Sequence, residues 1–209
     1  YSTSNPLTVS NVTQKTALVA NFSLNSYTLN YAAGDNGSIS GTSPQTVYYG
    51  SNGTAVTAVA DEGFHFKNWS DSSITNPRTD KNVSKNINVT ASFEINVYKL
   101  NYSAGVNGSI TGTLQQNVEH GSDGSTVLAV PNEGYHFEKW SDGSTINPRR
   151  DYNIKSDKSV SAIFAINEYS LTYLSDVNGF ITGETSQTVE HGSNGSAIVA
   201  YPNEGYHFD

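Results

Sequence analysis

The sequence contains no cysteine and no methionine, and only 14% of its residues are charged. The absence of cysteine excludes a disulfide framework and any metal site built on thiolates. No initiator methionine and no apolar signal segment are present, and we therefore expect a piece of a longer, processed protein. Asparagine, serine, threonine and glycine are abundant, so the polar surface should consist mainly of neutral groups, as in many secreted β proteins.

Long apolar runs and positive charge are also scarce. No stretch approaches the length that a membrane-spanning helix requires, so membrane insertion is not expected. The formal net charge is -8, with 11 Lys and Arg against 19 Asp and Glu. Because nucleic-acid binding depends on cationic side chains that face phosphates, this balance argues against a nucleic-acid partner. The simplest role of the negative charge is solubility.

An internal period of 71 residues organises the chain. Residues 134–142 read GYHFEKWSD, residues 63–71 read GFHFKNWSD, and residues 205–209 begin a third copy. A fixed period of this length indicates tandem modules. The repeat frame assigns residues 1–25 to the C-terminal part of a repeat, 26–96 and 97–167 to full repeats, and 168–209 to the N-terminal part of a repeat.

Alternating apolar and polar residues predict about five short strands in each repeat. Tyr27, Leu29 and Tyr31 alternate with polar residues, a period of two that is typical of a half-buried strand. Asn36 and Gly37 favour a tight hairpin turn, because both residues tolerate positive φ. No window shows a convincing helical period. The predicted fold class is therefore mostly β, with small modules in tandem.

The tryptophan of each repeat conflicts with strict strand alternation. Alternation from Phe66 places Trp69 on the opposite face of the strand. We predict a β-bulge after Phe66 that turns the Trp69 side chain into the core. The predicted structural core comprises Trp69, Trp140, Phe66, Phe137, Phe93 and Phe164.

The linker between modules is short and contains neither glycine nor proline. Glu94, Ile95, Asn96 and Val97 separate the last strand of one full repeat from the first strand of the next. Modules of this size are marginally stable alone, and contacts with neighbouring repeats add stability. We therefore expect an elongated and fairly stiff array.

The order of the motifs resembles the divergent internalin B-type repeat, which is related to the Listeria–Bacteroides repeat of cell-surface proteins. The motifs are Tyr-x-Leu-x-Tyr, Asn-Gly-Ser-Ile, Gln-Thr-Val-x-x-Gly, Gly-Tyr-His-Phe-x-x-Trp-Ser-Asp-Gly, Asn-Pro-Arg and Val-x-Ala-x-Phe. Residues 98–167 follow the whole pattern, and all three periods share it. The resemblance implies a β-grasp-like module of secreted or wall-attached proteins. It also implies a spacer or adhesive stalk, with no shared catalytic residues to carry over.

The recurring histidines do not predict a metal centre. His65, His136 and His207 occur once per repeat, whereas a metal site needs two or three converging ligands. The second candidate ligand, His120, is replaced by Tyr49 in the first full repeat. Packing or hydrogen bonding is therefore the better interpretation, and no catalytic residue is predicted.

Charged residues in the loops predict structure rather than chemistry. Arg78 and Arg149 follow a proline and lie near Asp80 and Asp151, which predicts structural ion pairs in preference to a ligand clamp. The turn at residues 122–124 contains an aspartate, which leaves calcium open as a ligand. Calcium needs six or more oxygens, and the equivalent turns carry asparagine, so no cofactor is expected.

Two functions remain as hypotheses. The first is a non-catalytic spacer or stalk of an extracellular surface protein, adhesin or filament. The second is a binding module that recognises a glycan, the cell wall or a partner protein through exposed aromatic residues. Tyr48, Tyr49 and Tyr201 are aromatic residues that the other repeats lack, so a dedicated site should use them.

The two partial repeats are complementary. Residues 1–25 carry a last strand whose Leu18, Ala20 and Phe22 lack a core of their own, and residues 168–209 lack the tryptophan and the last strand. We expect copies to associate head to tail through these parts, unless the same junction is covalent in a continuous array. Both versions predict that residues near Phe22 pack against residues equivalent to 169–208.

Overall fold

The computed structural model describes residues 3–209, which contain strands and no helix. Accordingly, no described segment is a helix long and apolar enough to span a membrane. The strands of the first full repeat are β1 (Ser26–Ala33), β2 (Gly37–Ser40), β3 (Gln45–Tyr48), β4 (Thr57–Ala60), β5 (Phe64–Trp69) and β6 (Ile87–Ile95). Those of the second are β7 (Val97–Ala104), β8 (Gly108–Gly112), β9 (Gln115–Glu119), β10 (Val127–Pro131), β11 (Tyr135–Trp140) and β12 (Lys158–Ile166). The third, partial repeat has β13 (Glu168–Thr172), β14 (Gly179–Thr182), β15 (Ser186–Glu190) and β16 (Val199–Pro202).

Each full repeat consists of a four-stranded sheet and a two-stranded sheet. The four-stranded order is β3-β1-β6-β5 in the first repeat and β9-β7-β12-β11 in the second. The first and last strands of a repeat lie parallel at the centre of this sheet, and their outer neighbours are antiparallel to them. The two-stranded sheets are β2-β4 and β8-β10. This arrangement confirms the predicted mostly β, β-grasp-like fold in tandem repeats.

The contacts divide the chain into two compact units. One contains the residues up to Val59 together with Phe66–Ser92. The other contains Ala60–His65 and Phe93–Asp209, and so holds the second and third repeats. We call residues 60–65, with their equivalents 131–136 and 202–207, the tip of each repeat.

The strand prediction is corrected in two respects. Each full repeat has a sixth strand, and the strand that follows Asn36 has a different pairing partner. Asn36 has a φ of 68°, as its position before Gly37 suggested. However, β2 pairs with β4 and not with β1, so the predicted tight hairpin is wrong. The turn instead carries the chain from the four-stranded sheet to the two-stranded sheet, where Ile39 on β2 is half-buried.

The tryptophan of each full repeat lies at the centre of the core. In the second repeat the pairing of β11 with β12 steps from Phe137–Phe164 to Lys139–Ile163, which confirms the bulge at the predicted place. The side chains of Trp69 and Trp140 have no exposed surface. Of the predicted core phenylalanines, Phe164 is buried and Phe66, Phe137 and Phe93 are half-buried.

Residues 3–25 form no strand in the single chain. The side chain of Phe22 is 94% exposed, and Leu18 is exposed as well. The expectation that residues near Phe22 pack into a sheet is therefore wrong for the single chain, since the two full repeats already close their sheets with β6 and β12. Residues 1 and 2 of the predicted 1–25 segment lie outside the described residues.

Candidate functional site

A buried cluster of charged and aromatic side chains lies beneath the long loop of the second repeat. The Arg149 guanidinium donates two hydrogen bonds of 2.7 Å to the carboxylate of Asp151 and two, of 2.7 and 2.9 Å, to Asp142. Its central carbon lies 5.4 Å from the ring centroid of Trp140, close enough for a cation–π contact. The Tyr102 hydroxyl donates to Asp151 at 2.7 Å. The predicted structural ion pair between Arg149 and Asp151 is confirmed.

Burial and hydrogen bonding set the protonation states in this cluster. Burial alone would raise the pKa of Asp151, but hydrogen bonds from Arg149, Lys158 and Tyr102 hold that pKa well below its usual value. Burial and the hydrogen bond to Asp151 raise the pKa of Tyr102. A buried charge is tolerated when it is paired and hydrogen-bonded, and this carboxylate has three donors. Asp151 therefore stays ionised and Tyr102 stays neutral at neutral pH.

The first full repeat contains the same cluster except for the lysine, because Ile87 stands at the position of Lys158. Arg78 donates to Asp80 twice at 2.8 Å and to Asp71 at 2.9 Å, and its central carbon lies 5.5 Å from the Trp69 ring centroid. Tyr31 donates to Asp80 at 2.8 Å. The hydrogen bond from Arg78 is the main cause of a lowered pKa at Asp80. Recurrence of the arginine, the two aspartates, the tyrosine and the tryptophan indicates a structural role, because a dedicated catalytic site needs only one copy.

The cluster fastens the loop between the bulged strand and the last strand of the repeat. The Trp140 Nε1–H donates to the backbone oxygen of Ile146 at 2.9 Å. The Asn147 side chain donates to Ala129 O and accepts from Ala129 N–H, at 2.8 and 2.9 Å. Arg149 also exchanges two backbone hydrogen bonds with Val127. The loop is thus tied to both sheets although it has no strand of its own.

Acid is expected to destabilise the second repeat through Asp151. Because its pKa in the folded state is depressed, the carboxylate contributes stability that is present above its unfolded pKa of about 3.9 and is lost as the pH falls further. Urea unfolding followed by tryptophan fluorescence should show the free energy of unfolding falling between roughly pH 5 and pH 2. Asp151→Asn should flatten the pH dependence, whereas the exposed Asp61→Asn should leave it unchanged. An equally steep slope in Asp151→Asn would contradict the assignment.

The junction between the second and third repeats centres on one asparagine. The Asn167 backbone N–H donates to Gly134 O at 2.8 Å, and Asn167 O accepts from the His191 N–H at 2.7 Å. The side-chain Oδ1 of Asn167 lies 2.9 Å from Nδ1 of His136. Since a carboxamide oxygen only accepts, the proton lies on Nδ1 of His136. One linker residue therefore bonds to the tip of the preceding repeat and to the following repeat.

The tip Ala60–His65 makes the same junction with the second repeat. Asn96 N–H donates to Gly63 O at 2.8 Å, Asn96 O accepts from His120 N–H at 2.8 Å, and Asn96 Oδ1 lies 2.8 Å from His65 Nδ1. The exposed Lys155 adds a 2.8 Å ion pair to Glu62. The three junction bonds thus recur with the period of the repeat.

Glycine is required at each junction for two reasons. Gly134 has a φ of 81°, in the region that other residues rarely adopt. A Cβ atom built on it would lie 2.4 Å from Cδ2 of His191. At Gly63 the equivalent distance, to His120 Cδ2, is 2.5 Å. The histidine ring therefore packs directly on the glycine backbone.

Gly134→Ala is expected to loosen the junction more than a backbone-matched control. Gly143 has a φ of 86° and nothing within 4 Å of its Cβ position, so Gly143→Ala reports backbone strain alone, on the order of 1–3 kcal/mol. Gly134→Ala adds the clash with the ring of His191. Amide hydrogen exchange at Asn167 and His191 should accelerate in Gly134→Ala only. Equal exchange in both variants would show that the ring contact is unimportant.

The three tyrosines proposed as ligand contacts are exposed and belong to two different compact units. Tyr48 and Tyr49 are 60% and 56% exposed, and the Tyr49 ring lies 6.5 Å from that of Tyr27. Tyr201 is 47% exposed and stacks on Phe180 with centroids 5.2 Å apart. It belongs to the other compact unit. Tyr48 and Tyr49 are adjacent in the sequence.

Side chains that were considered as metal ligands in the turns make structural hydrogen bonds. Asp123, in the turn that left calcium open, accepts from the Asn153 N–H at 3.0 Å. Asn52 takes the same role toward Asn82 in the first repeat. Within residues 3–209, no group of three or more His, Asp or Glu side chains is placed to hold a metal ion.

Sequence reasoning missed two kinds of structural residue. The junction asparagines were read only as linker, although Asn25, Asn96 and Asn167 recur with the period of the repeat. The buried Gln116 was also missed: its amide donates to Thr113 O and Ser125 O and accepts from the Ser125 N–H. Gln45 and Gln187 do the same in the other repeats, and their recurrence was the available signal.

The fold and its recurring junction define a tandem-repeat β protein. The sequence profile of the divergent InlB B-repeat domain matches residues 27–97, 98–168 and 169–209. The chain therefore belongs to this family, and the resemblance seen in the motifs is confirmed.

Searches for further relatives add little. The search of curated proteins found no match. A solved structure titled "Streptococcal High Identity Repeats in Tandem (SHIRT) domains 3-4 from cell surface protein" aligns at 11% identity, over 68% of this chain and 98% of that one. Its TM-score is 0.24, which is too low to support an inference.

Proposed function

We propose that the chain is a non-catalytic structural spacer of an extracellular surface protein, in which consecutive repeats set a fixed distance. The observation that carries this proposal is the junction: two consecutive linkers make the same three hydrogen bonds around Asn96 and Asn167. A spacer needs a defined geometry between modules, and short linkers with recurring hydrogen bonds agree with that need. Membership of a repeat family agrees with a role outside the cell. So does the composition, in which most polar residues are uncharged and the formal net charge is -8.

The structural use of the groups with shifted pKa values supports the non-catalytic part of the proposal. The strongly shifted pKa values belong to Asp151, Tyr102 and their equivalents, which are all engaged in a buried ion cluster. Perturbed groups mark active sites when they face a cleft, but structural ion pairs shift pKa values as well. Here the carboxylates are hydrogen-bonded by an arginine and a tyrosine.

The spacer proposal is tested by adding repeats. Chains that carry one to four copies of residues 97–167 should increase in maximum dimension by a constant increment per copy in small-angle X-ray scattering. Asn167→Ala, introduced at every junction, should make the increments smaller and irregular, because the tie to the preceding glycine and histidine is weakened. Compaction of the unmodified series with copy number would contradict a spacer.

A binding function is the second candidate, and one observation favours it. Tyr48 and Tyr49 are adjacent and exposed in the first full repeat, where the other repeats carry Glu119-His120 and Glu190-His191. Exposed aromatic rings are the groups that stack on sugar faces or anchor protein interfaces. The partner class is a cell-wall or host glycan, or a surface protein.

A glycan array tests this candidate. The intact chain should bind glycans that the Tyr48→Ser/Tyr49→Ser variant does not bind. Tyr201→Ser is the control, because it also removes an exposed aromatic ring, and it should bind as the intact chain does. Binding that is absent, or unchanged in the double variant, would refute a site at these tyrosines and leave the spacer proposal untouched.

A further inference from the structure

One extended segment of the second repeat alternates buried and exposed side chains, although it belongs to no strand. Arg149 and Asp151 are buried in the ion cluster, whereas the residues that follow each of them, Arg150 and Tyr152, are exposed. Because side chains of an extended chain point alternately to opposite sides, the two exposed residues share the outward side. The buried pair therefore fixes which side chains this segment presents to solvent.

The backbone around Tyr152 is held by the turn that precedes it in space. The Gly124 N–H donates to Asp151 O at 2.9 Å. The Ile154 N–H donates to Ser122 O at the same distance. Binding to a segment that is already held in place costs little ordering entropy. The exposed side chains thus stand on a preorganised backbone.

Arg150, Tyr152 and Asp123 form one cluster on this surface. The central carbon of the Arg150 guanidinium lies 5.3 Å from the Tyr152 ring centroid, within the range of a cation–π contact. The Arg150 Nε–H donates to Gly124 O at 3.0 Å, and a terminal nitrogen of Arg150 lies 3.5 Å from Asp123 Oδ2. Tyr152 is 65% exposed, so most of its ring is open to solvent. The cluster presents an aromatic ring beside a hydrogen-bond donor and an acceptor.

The first full repeat has the same backbone conformation at this place. Its Gly53 N–H donates to Asp80 O at 2.9 Å, and Asn82 has a positive φ of 50°, as its equivalent does. The two exposed positions, however, carry Thr79 and Lys81. The segment therefore forms without an arginine and a tyrosine at these positions, and folding alone does not explain the pair in the second repeat.

A neutral sugar fits the chemistry of the cluster. An aromatic ring stacks on the apolar face of a pyranose, while guanidinium and carboxylate groups exchange hydrogen bonds with its hydroxyls. The carboxylate of Asp123 and the formal net charge of -8 disfavour an anionic ligand. We propose that Arg150, Tyr152 and Asp123 form a binding site for a neutral glycan on the second repeat. This function goes beyond the spacer role and does not depend on it.

Chemical-shift titration of the intact chain tests the position of the site. The probe is the neutral oligosaccharide that gives the strongest signal on an array of neutral and acidic glycans. Its addition should shift the amide resonances of residues 122–124 and 150–154, and should leave those of residues 51–53 and 79–83 in place. The proposal is overturned if no neutral glycan binds, or if none that binds shifts the amides of residues 150–154.

An exchange of residues between repeats tests the two exposed side chains. Arg150→Thr/Tyr152→Lys introduces the residues that the first repeat carries on the same backbone, so the variant should fold. Its affinity for the probe should fall about tenfold or more, as expected for the loss of an aromatic anchor and an arginine. Tyr152→Phe keeps the ring and should retain most of the affinity. Thr79→Ala/Lys81→Ala is the matched control and should bind as the intact chain does. Equal affinity in Arg150→Thr/Tyr152→Lys and the intact chain overturns the proposal.

The reciprocal exchange tests whether the three side chains suffice. Asn52→Asp/Thr79→Arg/Lys81→Tyr places the cluster on the first repeat. The probe should then bind at a second site and shift the amides of residues 79–83. If those amides do not shift, the three side chains do not make a site and the proposal is overturned. The spacer proposal would survive either failure, because it is measured by the increment in length per added repeat.

Discussion

Replacing Trp140 by alanine is expected to lower the free energy of unfolding of the second repeat by about 3–5 kcal/mol. The Trp140 side chain has no exposed surface and contacts the rings of Tyr102 and Phe137, at centroid distances of 6.2 and 5.5 Å. Truncation removes these contacts, the cation–π partner of Arg149 and the hydrogen bond to Ile146 O. A repeat of this size has little stability to spare.

The measurement is urea or thermal unfolding followed by circular dichroism. Val106→Ala is the matched apolar truncation on the surface and should stay within about 0.5 kcal/mol of the unmodified chain. Trp69→Ala should have a similar cost in the first repeat, since Trp69 has the same burial and the same Nε1–H bond, to Thr75 O. A midpoint in Trp140→Ala that matches the control would show that the tryptophan does not support the core.

Arg149→Met is the second substitution with a large expected effect, again about 3–5 kcal/mol. The long apolar side chain preserves packing on Trp140 but leaves the buried Asp151 without its main cationic partner. The neighbouring Arg150 is a matched control, because its side chain is about half exposed. Arg150→Met should therefore cost far less in the same unfolding assay.

A double variant separates lost charge pairing from lost volume. Arg149→Leu/Asp151→Val removes both members of the buried pair. It introduces the apolar residues that stand two periods earlier in the sequence, at Leu7 and Val9. It should recover a substantial part of the stability lost in Arg149→Met. If the double variant is less stable than the single one, the cost arises from packing and not from an uncompensated carboxylate.

Local pattern predicted the features that depend on alternation. The bulge before Trp140 followed from a single conflict: an aromatic residue that is too large to leave in solvent stood on the wrong face of its strand. The parallel pairing of the first and last strands did not follow from alternation, because pairing partners far apart in sequence leave no local trace. Only the folded chain shows it.

Contacts made by small or polar residues were not predicted from the sequence. Gly37 and Ser40 contribute little apolar signal, so β2 was read as a turn although Ile39 is half-buried. The role of Asn167 at the junction was likewise not predicted from the sequence. Its three partners come from both sides of the junction, and only the folded chain brings them together.

The parallel centre of each four-stranded sheet has a mechanical consequence. The chain enters a repeat at the start of its first strand and leaves at the end of its last strand, and these two strands lie side by side over five residue pairs. Tension applied along the chain therefore pulls them in opposite directions along their length. All the hydrogen bonds between them resist in shear together, whereas an antiparallel pair pulled from one end would open one bond at a time. Extension of a full repeat between its two ends is thus opposed by this central strand pair as a whole.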